Sequence, residues 1–469
     1  MTCNPLKKQI MFFICAAILA ASASSCALGS FVSYKTSPDY PRNKKETLKL
    51  NGLQNKVEVI FDEAGVPHID AKSEKDLLIA IGFVHARYRF FQMDMLRRIA
   101  RGRVSELVGE QPLLDSTTIK FDSAMRGWGF DKACLEDEAG LTGELKELML
   151  AYTDGVNQAV ALYKPLEYRL LGAEPEKWEV ADSFALGRLN SWGITHNWNQ
   201  ELARFLLALF VGYERAEAVY PSEPWIGGVS VQLKGESKKL PPSVVDEIKE
   251  LFPARPVSDL KGGAASLENI DFALMAASAS NAWAVGGGSA KNGKPLLASD
   301  PHLNHFLPSM VIQQHIKCPQ YESVGVTMPG LPFNLFGHTD KIAWGITSAV
   351  GDAIDFYAEK VNPDNAEQVL TPDGYKDLLK EEIVIKARDG GSFVEKKFVH
   401  RRSRNGVIIN DLYPDMFPSW APPLALHWDT SDAKGSLESF RKVASAKNAF
   451  EMRKIFSGMT TPINVYTAA

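Results

Sequence analysis

Across 469 residues the chain carries 52 Lys and Arg against 56 Asp and Glu, a net charge of −4, with 45% hydrophobic and 23% charged residues. This is the balance of a globular chain with one large or two to three ordinary domains; it excludes a wholly disordered chain and offers nucleic acid no basic face. Five cysteines are present, but only Cys134 and Cys318 lie away from the N-terminal leader. That excludes a disulfide framework and any metal-ligand spacing, and leaves a single bridge open.

In chain order, Lys7 and Lys8 precede an apolar run over 10–21 and the small residues Ser22-Ala23-Ser24-Ser25-Cys26. A basic start, a short apolar run and a small-residue cleavage zone predict an export signal over 1–26. The run is shorter than the roughly 20 residues a bilayer span needs. Ser24-Ser25-Cys26 also resembles a bacterial lipobox lacking its leucine, so periplasmic export and an outer-membrane lipid anchor at Cys26 both stay open. Residues 27–53, polar and carrying Lys, Pro and Tyr, read as a tether.

Residues 57–69 read as strand, turn, strand, with Glu63-Ala64-Gly65-Val66-Pro67 at the turn. The stretch 75–108 reads as helix, with Leu78, Ile81, Gly82, His85, Phe90 and Met93 at helical spacing. Its Arg and Asp residues read as a charged face, and His85 as a packed helix histidine. Further helices are expected over 139–163 and 181–213, within a mainly helical region spanning 54–250. A Pro-, Gly-, Ala- and Ser-containing connector follows over 251–279, including Gly262-Gly263-Ala264-Ala265-Ser266. Ser258-Asp259-Leu260-Lys261 within it matches the Ser-x-x-Lys of β-lactamases in letters alone, away from any helix start and without a companion motif.

From Ser280 the pattern turns β-rich. Strands are expected near 311–316, 323–326, 342–346, 356–360, 381–387 and 393–400, with a turn at Asp389-Gly390-Gly391, and a helix near 437–457. A helical first half and a strand-rich second half predict an α+β protein. The region opens with Ser280-Asn281-Ala282-Trp283-Ala284-Val285, then Asn292-Gly293, then Leu296-Leu297-Ala298-Ser299-Asp300-Pro301-His302-Leu303. Two β-type runs about Asn-Gly predict a tight hairpin that returns Pro301-His302-Leu303 beside Ser280. A serine and a histidine thereby become neighbours, a pairing that suits nucleophilic chemistry as well as an ordinary hairpin edge.

Ser280-Asn281-Ala282-Trp283 and Gly293-Lys294-Pro295-Leu296-Leu297-Ala298-Ser299-Asp300-Pro301-His302-Leu303 resemble the start of the catalytic β-chain in the penicillin acylase family. This family belongs to the N-terminal-nucleophile hydrolases and includes cephalosporin and acyl-homoserine-lactone acylases. Gly82-Phe83-Val84-His85-Ala86-Arg87-Tyr88-Arg89-Phe90-Phe91-Gln92-Met93-Asp94, continuing through Gly102-Arg103-Val104-Ser105-Glu106-Leu107, resembles the family's α-chain opening. Lys341-Ile342-Ala343-Trp344-Gly345-Ile346-Thr347-Ser348-Ala349-Val350-Gly351-Asp352 aligns with a third block. The resemblance runs over about residues 55–469 and implies a four-layer αββα sandwich. It also implies a precursor cut between Ala279 and Ser280 into α- and β-chains that stay together as a heterodimer.

A serine hydroxyl needs a base, and a freed α-amine with a pKa of ~7.7–8.0 supplies one on the same residue. The resemblance then assigns the parts. Ser280 is the nucleophile and His302 orients its amine; the backbone N–H of Ser348 or Ala349 and the side chain of Asn464 hold the oxyanion. Leu303 and Phe336 fall at acyl-pocket positions. Glu201, Asp352, Ile354 and Asp355 match a structural Ca²⁺ site of hard oxygen donors. No catalytic cofactor is implied, and the substrate is a small N-acyl amide. Family precursors are much longer, so the expectation is a chain cut short within the β-chain region 280–469. A non-catalytic envelope binding protein is the alternative reading.

Overall fold

The computed structural model describes residues 33–35, 45–113, 116–194, 197–219, 246, 280–303, 306–349, 354–428, 433–459, 461 and 463–468. The leader over 1–26 with Cys26, the connector 251–279 and Asp352 lie outside the described residues. So does the side chain of Asn464.

Two short strands come first, β1 (Glu58–Phe61) and β2 (Pro67–Asp70), joined by a turn. The Asp62 carboxylate ties that turn by accepting from the N–H groups of Ala64 and Val66, both at 2.9 Å. Helix α1 (Glu74–Arg101) begins where Ser73 Oγ accepts from the Asp76 N–H, and it ends at Gly102 in the left-handed conformation. The predicted helix therefore stops short of 108, and a separate short turn of helix covers Ser105–Val108.

Helix α2 (Thr118–Trp128) and helix α3 (Phe130–Ala139) occupy a stretch where the sequence pattern predicted no element. Helix α4 (Gly143–Leu162) then packs along α1. The contact needs glycine on both sides: a Cβ on Gly82 would run into the Tyr152 carbonyl, and one on Gly155 into the Ile79 carbonyl. Helix α5 (Val180–Ile194) completes the layer. Helix α6 (Asn197–Val211) follows it.

The charged face predicted for α1 is not solvated. Asp94, Arg97 and Arg98 are no more than 1% exposed. Arg97 donates to Asp94 at 2.7 Å and to Asp182 of α5 at 2.6 Å. Arg98 donates to Asp94 at 2.9 Å, and Arg101 to Asp182 at 2.8 Å and Asp131 of α3 at 2.6 Å. Arg97 and Arg101 thus pin α1 to α5 and α3 inside the core, while Arg98 stays with Asp94 of its own helix, and each charge has its partner and its hydrogen bonds. His85 is packed as the spacing predicts: Nδ1 meets Tyr152 Oη at 3.0 Å and Nε2 meets Gln314 Oε1 at 3.2 Å.

The region from Ser280 onward adds a hairpin, β3 (Ser280–Val285) and β4 (Leu296–Pro301). Then come β5 (Ile312–Cys318), β6 (Tyr321–Thr327), β7 (Phe336–His338) and β8 (Ala343–Ser348). A second group follows: β9 (Ile354–Ala358), β10 (Leu379–Asp389), β11 (Ser392–Ser403), β12 (Gly406–Ile408) and β13 (Leu424–Trp428). Helices α7 (Ala433–Val443) and α8 (Ala449–Phe456) lead into β14 (Ile463–Ala468).

Among the described residues the largest sheet has seven strands in the order β1-β2-β5-β6-β7-β8-β14, and a second has five in the order β9-β13-β12-β11-β10. Asp389 pairs with Ser392, so Gly390-Gly391 forms the predicted turn.

The large sheet has two different faces. Gln314, Ile316, Ser323 and Trp344 lie on the face toward the helices. There, Gln314 meets His85, and Trp344 clusters with Val443, Ala446 and Met452 of the α7–α8 region. Arg441 of α7 reaches across to Glu74 at 3.0 Å, and Tyr321 donates to the same carboxylate. Over the opposite face, at β8 and β14, lies the β3–β4 hairpin. The protein is α+β, with helices, sheet and hairpin stacked in that order at this end. Cys134 and Cys318 are both buried free thiols, so the bridge left open by the sequence is not made.

Candidate active site

The hairpin that carries Ser280 closes in the expected register. Ser280 pairs with Pro301, Ala282 with Ser299 and Trp283 with Ala298. Its connection is not the tight two-residue turn that Asn-Gly predicts; it runs over 286–295 and includes a 3₁₀ turn at Gly287–Ser289. Gly287 folds against the Gly293 carbonyl, where a Cβ would come within 2.6 Å, and Asn292 Oδ1 accepts from the Lys294 N–H at 3.0 Å. The run of small residues after Val285 makes this tighter, longer fold-back available.

Because side chains alternate along a strand, Ser280, Ala282 and Ser299 share one face of the hairpin, and Asn281, Trp283 and Asp300 the other. The Ser280 face is the one turned toward the sheet. Ser299 lies directly against Gly345 of β8, where a Cβ would collide with the serine side chain. Glycine at 345 is therefore what allows the two layers to approach. Trp283 on the other face is exposed.

Under the hairpin, β8 and β14 are antiparallel neighbours with Thr347 opposite Asn464 and Ser348 opposite Ile463. The two stretches from which the resemblance draws its oxyanion donors, more than a hundred residues apart, thus form adjacent rungs of one ladder. Ser348 Oγ donates to the Ile194 carbonyl at 2.9 Å. That bond ties the end of β8 to the end of α5. Ala349 follows it and is exposed.

His302 comes directly after β4. Its Nε2 lies 2.9 Å from Asp300 Oδ2, and the imidazole is exposed. Asp300 as the partner of His302 went unassigned in the sequence; the signal was there, since residues two apart at a strand end lie on the same side. Leu303 is half-buried, and its N–H donates to the Pro301 carbonyl at 3.0 Å. Phe336 sits on β7 opposite Val326, half-buried against the main core.

The residues assigned to Ca²⁺ come from two elements that touch. Helix α6, which carries Glu201, packs against β9, which carries Ile354 and Asp355. Ile354 is fully buried opposite Trp428, and Asp355 is exposed opposite His427. Asp352 lies outside the described residues. Among the described residues, no group of three or more His, Cys, Asp or Glu side chains is arranged to hold a metal. The donors that remain, one carboxylate on each element and the Ile354 carbonyl, are all oxygen, which fits a hard cation.

Taken together, a serine at the head of a hairpin is stacked over a two-strand ladder, where a glycine opens the approach, on an α+β scaffold. The comparison with known families agrees: the penicillin amidase model matches residues 56–469, and the chain belongs to that family. Penicillin acylase 2 proenzyme of Pseudomonas sp. (strain SE83) is 36% identical over 323 residues, 68% of this chain and 39% of the relative. Acyl-homoserine lactone acylase QuiP of Pseudomonas aeruginosa is 29% identical over 436 residues, 89% of this chain and 48% of the relative. The chain thus spans about half or less of the curated relatives it matches. A solved penicillin G acylase from Alcaligenes faecalis, 23% identical, overlaps 40% of this chain and 33% of its own, with a TM-score of 0.34.

Proposed function

We propose that this chain carries the nucleophile of a self-processing amidohydrolase that cleaves the linear amide of N-acyl compounds. One observation carries the reading: Ser280, paired with Pro301, heads a hairpin seated on the ladder where Thr347 meets Asn464. The names of its relatives, penicillin acylases and acyl-homoserine lactone acylases, one of them a proenzyme, support the reaction class.

In the first step the Ser280 hydroxyl attacks the carbonyl of Ala279. The peptide bond becomes an ester, and water releases it to leave Ser280 as a new chain start. Its α-amine then takes the hydroxyl proton, through one water, as Oγ attacks the substrate amide. The developing oxyanion is held by the backbone N–H of Ser348 or Ala349 and by the Asn464 side chain. The proton passes to the leaving amine, and water hydrolyses the acyl-Ser280 ester by the same route in reverse. His302, steadied by Asp300, orients the amine. Leu303 and Phe336 contribute apolar surface to the acyl pocket. β-Lactam side-chain amides, acyl-homoserine lactones and other N-acyl amines are the candidate substrates, and His302 favours the latter two. Export to the envelope follows from the leader over 1–26.

Ser280→Ala is expected to abolish processing and to lower hydrolysis of an N-acyl amide by about 10³-fold or more, the scale at which removal of a nucleophile acts. Hydrolysis at the wild-type rate by that variant would contradict the assignment. A Ca²⁺ ion at Glu201, Asp352, Asp355 and the Ile354 carbonyl would be structural, clamping α6 to β9. Chelation with EGTA is then expected to lower the melting temperature by several degrees, as loss of a bound ligand does, with recovery on adding Ca²⁺ but not Mg²⁺. An unchanged melting curve would remove the ion from the account.

A further inference from the structure

Six residues of the β3–β4 hairpin share the face turned toward β8 and β14: Ser280, Ala282, Ala284, Leu297, Ser299 and Pro301. Only the two serines among them carry a polar side chain. Ala282 lies directly across from Ser299, which makes Ser280 the diagonal neighbour of Ser299 on the same face. Ser299 Oγ is buried in the contact with Gly345 and, among the described residues, has no hydrogen-bond partner. Neither Ala282 across the pair nor Gly345 beneath has a polar side-chain atom to offer. Yet a buried hydroxyl is ordinarily paired, because one left bare has given up water and received nothing.

The spacing of the two serines suits one water between them. Diagonal positions of an antiparallel pair lie about 7–8 Å apart, their Cβ atoms somewhat less. That is too far for two side chains as short as serine to touch, and near enough for a single water to bridge. A water held in place makes about three hydrogen bonds. Once Ser280 is free of residue 279, it supplies two of them to the water that carries its proton: Oγ–H donates to the water, and the water donates one hydrogen to the α-amine. The second hydrogen of the water needs an acceptor. Ser299 Oγ, on the same face and without a partner, has its lone pairs free.

We propose, on the reading of Ser280 as an N-terminal nucleophile, that Ser299 is a positioning residue whose hydroxyl accepts from the relay water and fixes it between the Ser280 hydroxyl and α-amine. As Ser280 Oγ bonds to the substrate carbonyl carbon, the carbonyl π pair moves to its oxygen and the Oγ–H bond breaks. The proton goes to the water, which passes one of its own to the amine. The amine becomes an ammonium and the water is restored, while Ser299 neither gains nor loses a proton. What Ser299 contributes is orientation: the water is already aligned when both transfers occur. Glycine at 345 therefore has a second consequence, since the surface against which Ser299 is buried also sets where that water sits.

The test is hydrolysis of an N-acyl amide by the wild type, Ser299→Ala and Ser299→Cys in mixtures of H₂O and D₂O, with rates normalised to the amount of chain beginning at Ser280. With two protons in flight, kcat/KM of the wild type should follow a curved line against deuterium fraction. Both variants should lower kcat and kcat/KM equally, by about tenfold, the scale of one hydrogen bond, and should lose the curvature. Ser299→Cys keeps a side chain packed on Gly345 while its thiol accepts only weakly, so matching losses tie the effect to the hydrogen bond. Turnover by Ser299→Ala at the wild-type rate overturns the proposal, as does a slower rate with the curvature unchanged. A straight wild-type plot overturns it whether or not the variants mature. A wild type that yields no chain beginning at Ser280 would instead remove the reading of Ser280, and the role of Ser299 with it.

Discussion

His85, wholly buried between Tyr152 and Gln314, is the residue whose environment has the clearest consequence in solution. Burial pushes its imidazole down to about 4. In the unfolded chain the ring titrates near 6.5. Since the folded value lies below the unfolded one, the contribution of the neutral ring is complete above pH 6.5 and is lost as pH falls toward 4. The loss is on the order of 3 kcal/mol. Urea midpoints measured between pH 7 and pH 4 should fall more steeply for the wild type than for His85→Gln. Parallel profiles would contradict the burial argument. Helical spacing alone was enough to identify this histidine as packed. The same spacing shows Arg97 and Arg101 only as part of a charged face, because their partners, Asp182 and Asp131, lie 85 and 30 residues further along the chain. A window of local periodicity records polarity and contains nothing about charges that arrive from elsewhere.

At the scale of elements, the hairpin β3–β4 was the most legible part of the site. Asn292-Gly293 between two β-type runs announced the reversal, and the pairing of Ser280 with Pro301 follows from the lengths of the runs. The connection was not legible, because three consecutive glycines permit a fold-back that no single turn type specifies. Nor was the stacking of Ser299 on Gly345, since contact between two sheets leaves no periodic mark on either strand. Yet that contact sets how deeply the Ser280 hairpin seats on β8 and β14. Gly345→Val should therefore destabilise the protein by about 1–3 kcal/mol, the usual penalty for overpacking, and slow the appearance of a chain beginning at Ser280. Retention of both wild-type stability and processing would show that the hairpin is not held at that point. Gly374→Ala is no substitute control, because its strain is conformational; Gly288→Ala, which meets nothing, serves that role.

In the whole molecule, two regions widely separated in sequence meet at one sheet. The helical layer α1, α4 and α5 reaches β5 through His85 and Gln314, and Arg441 of α7 returns to Glu74 at the start of α1. The α+β class was legible from the change in pattern at Ser280. The partition into a seven-stranded and a five-stranded sheet was not, because strand order depends on crossovers that composition does not record. Among the described residues no helix is long and apolar enough to cross a membrane. The two-stranded hairpin carrying Ser280 is held by the sheet beneath it. Everything proposed for catalysis then depends on one event in the chain, the release of the Ser280 amine from residue 279.

Intact-mass measurement of the folded, incubated protein tests that event most directly. Two chains are predicted, one of them beginning at Ser280 and gaining one acyl group during brief reaction with an N-acyl amide, with neither change in Ser280→Ala. A single unbroken chain that hydrolyses the same amide would contradict the account.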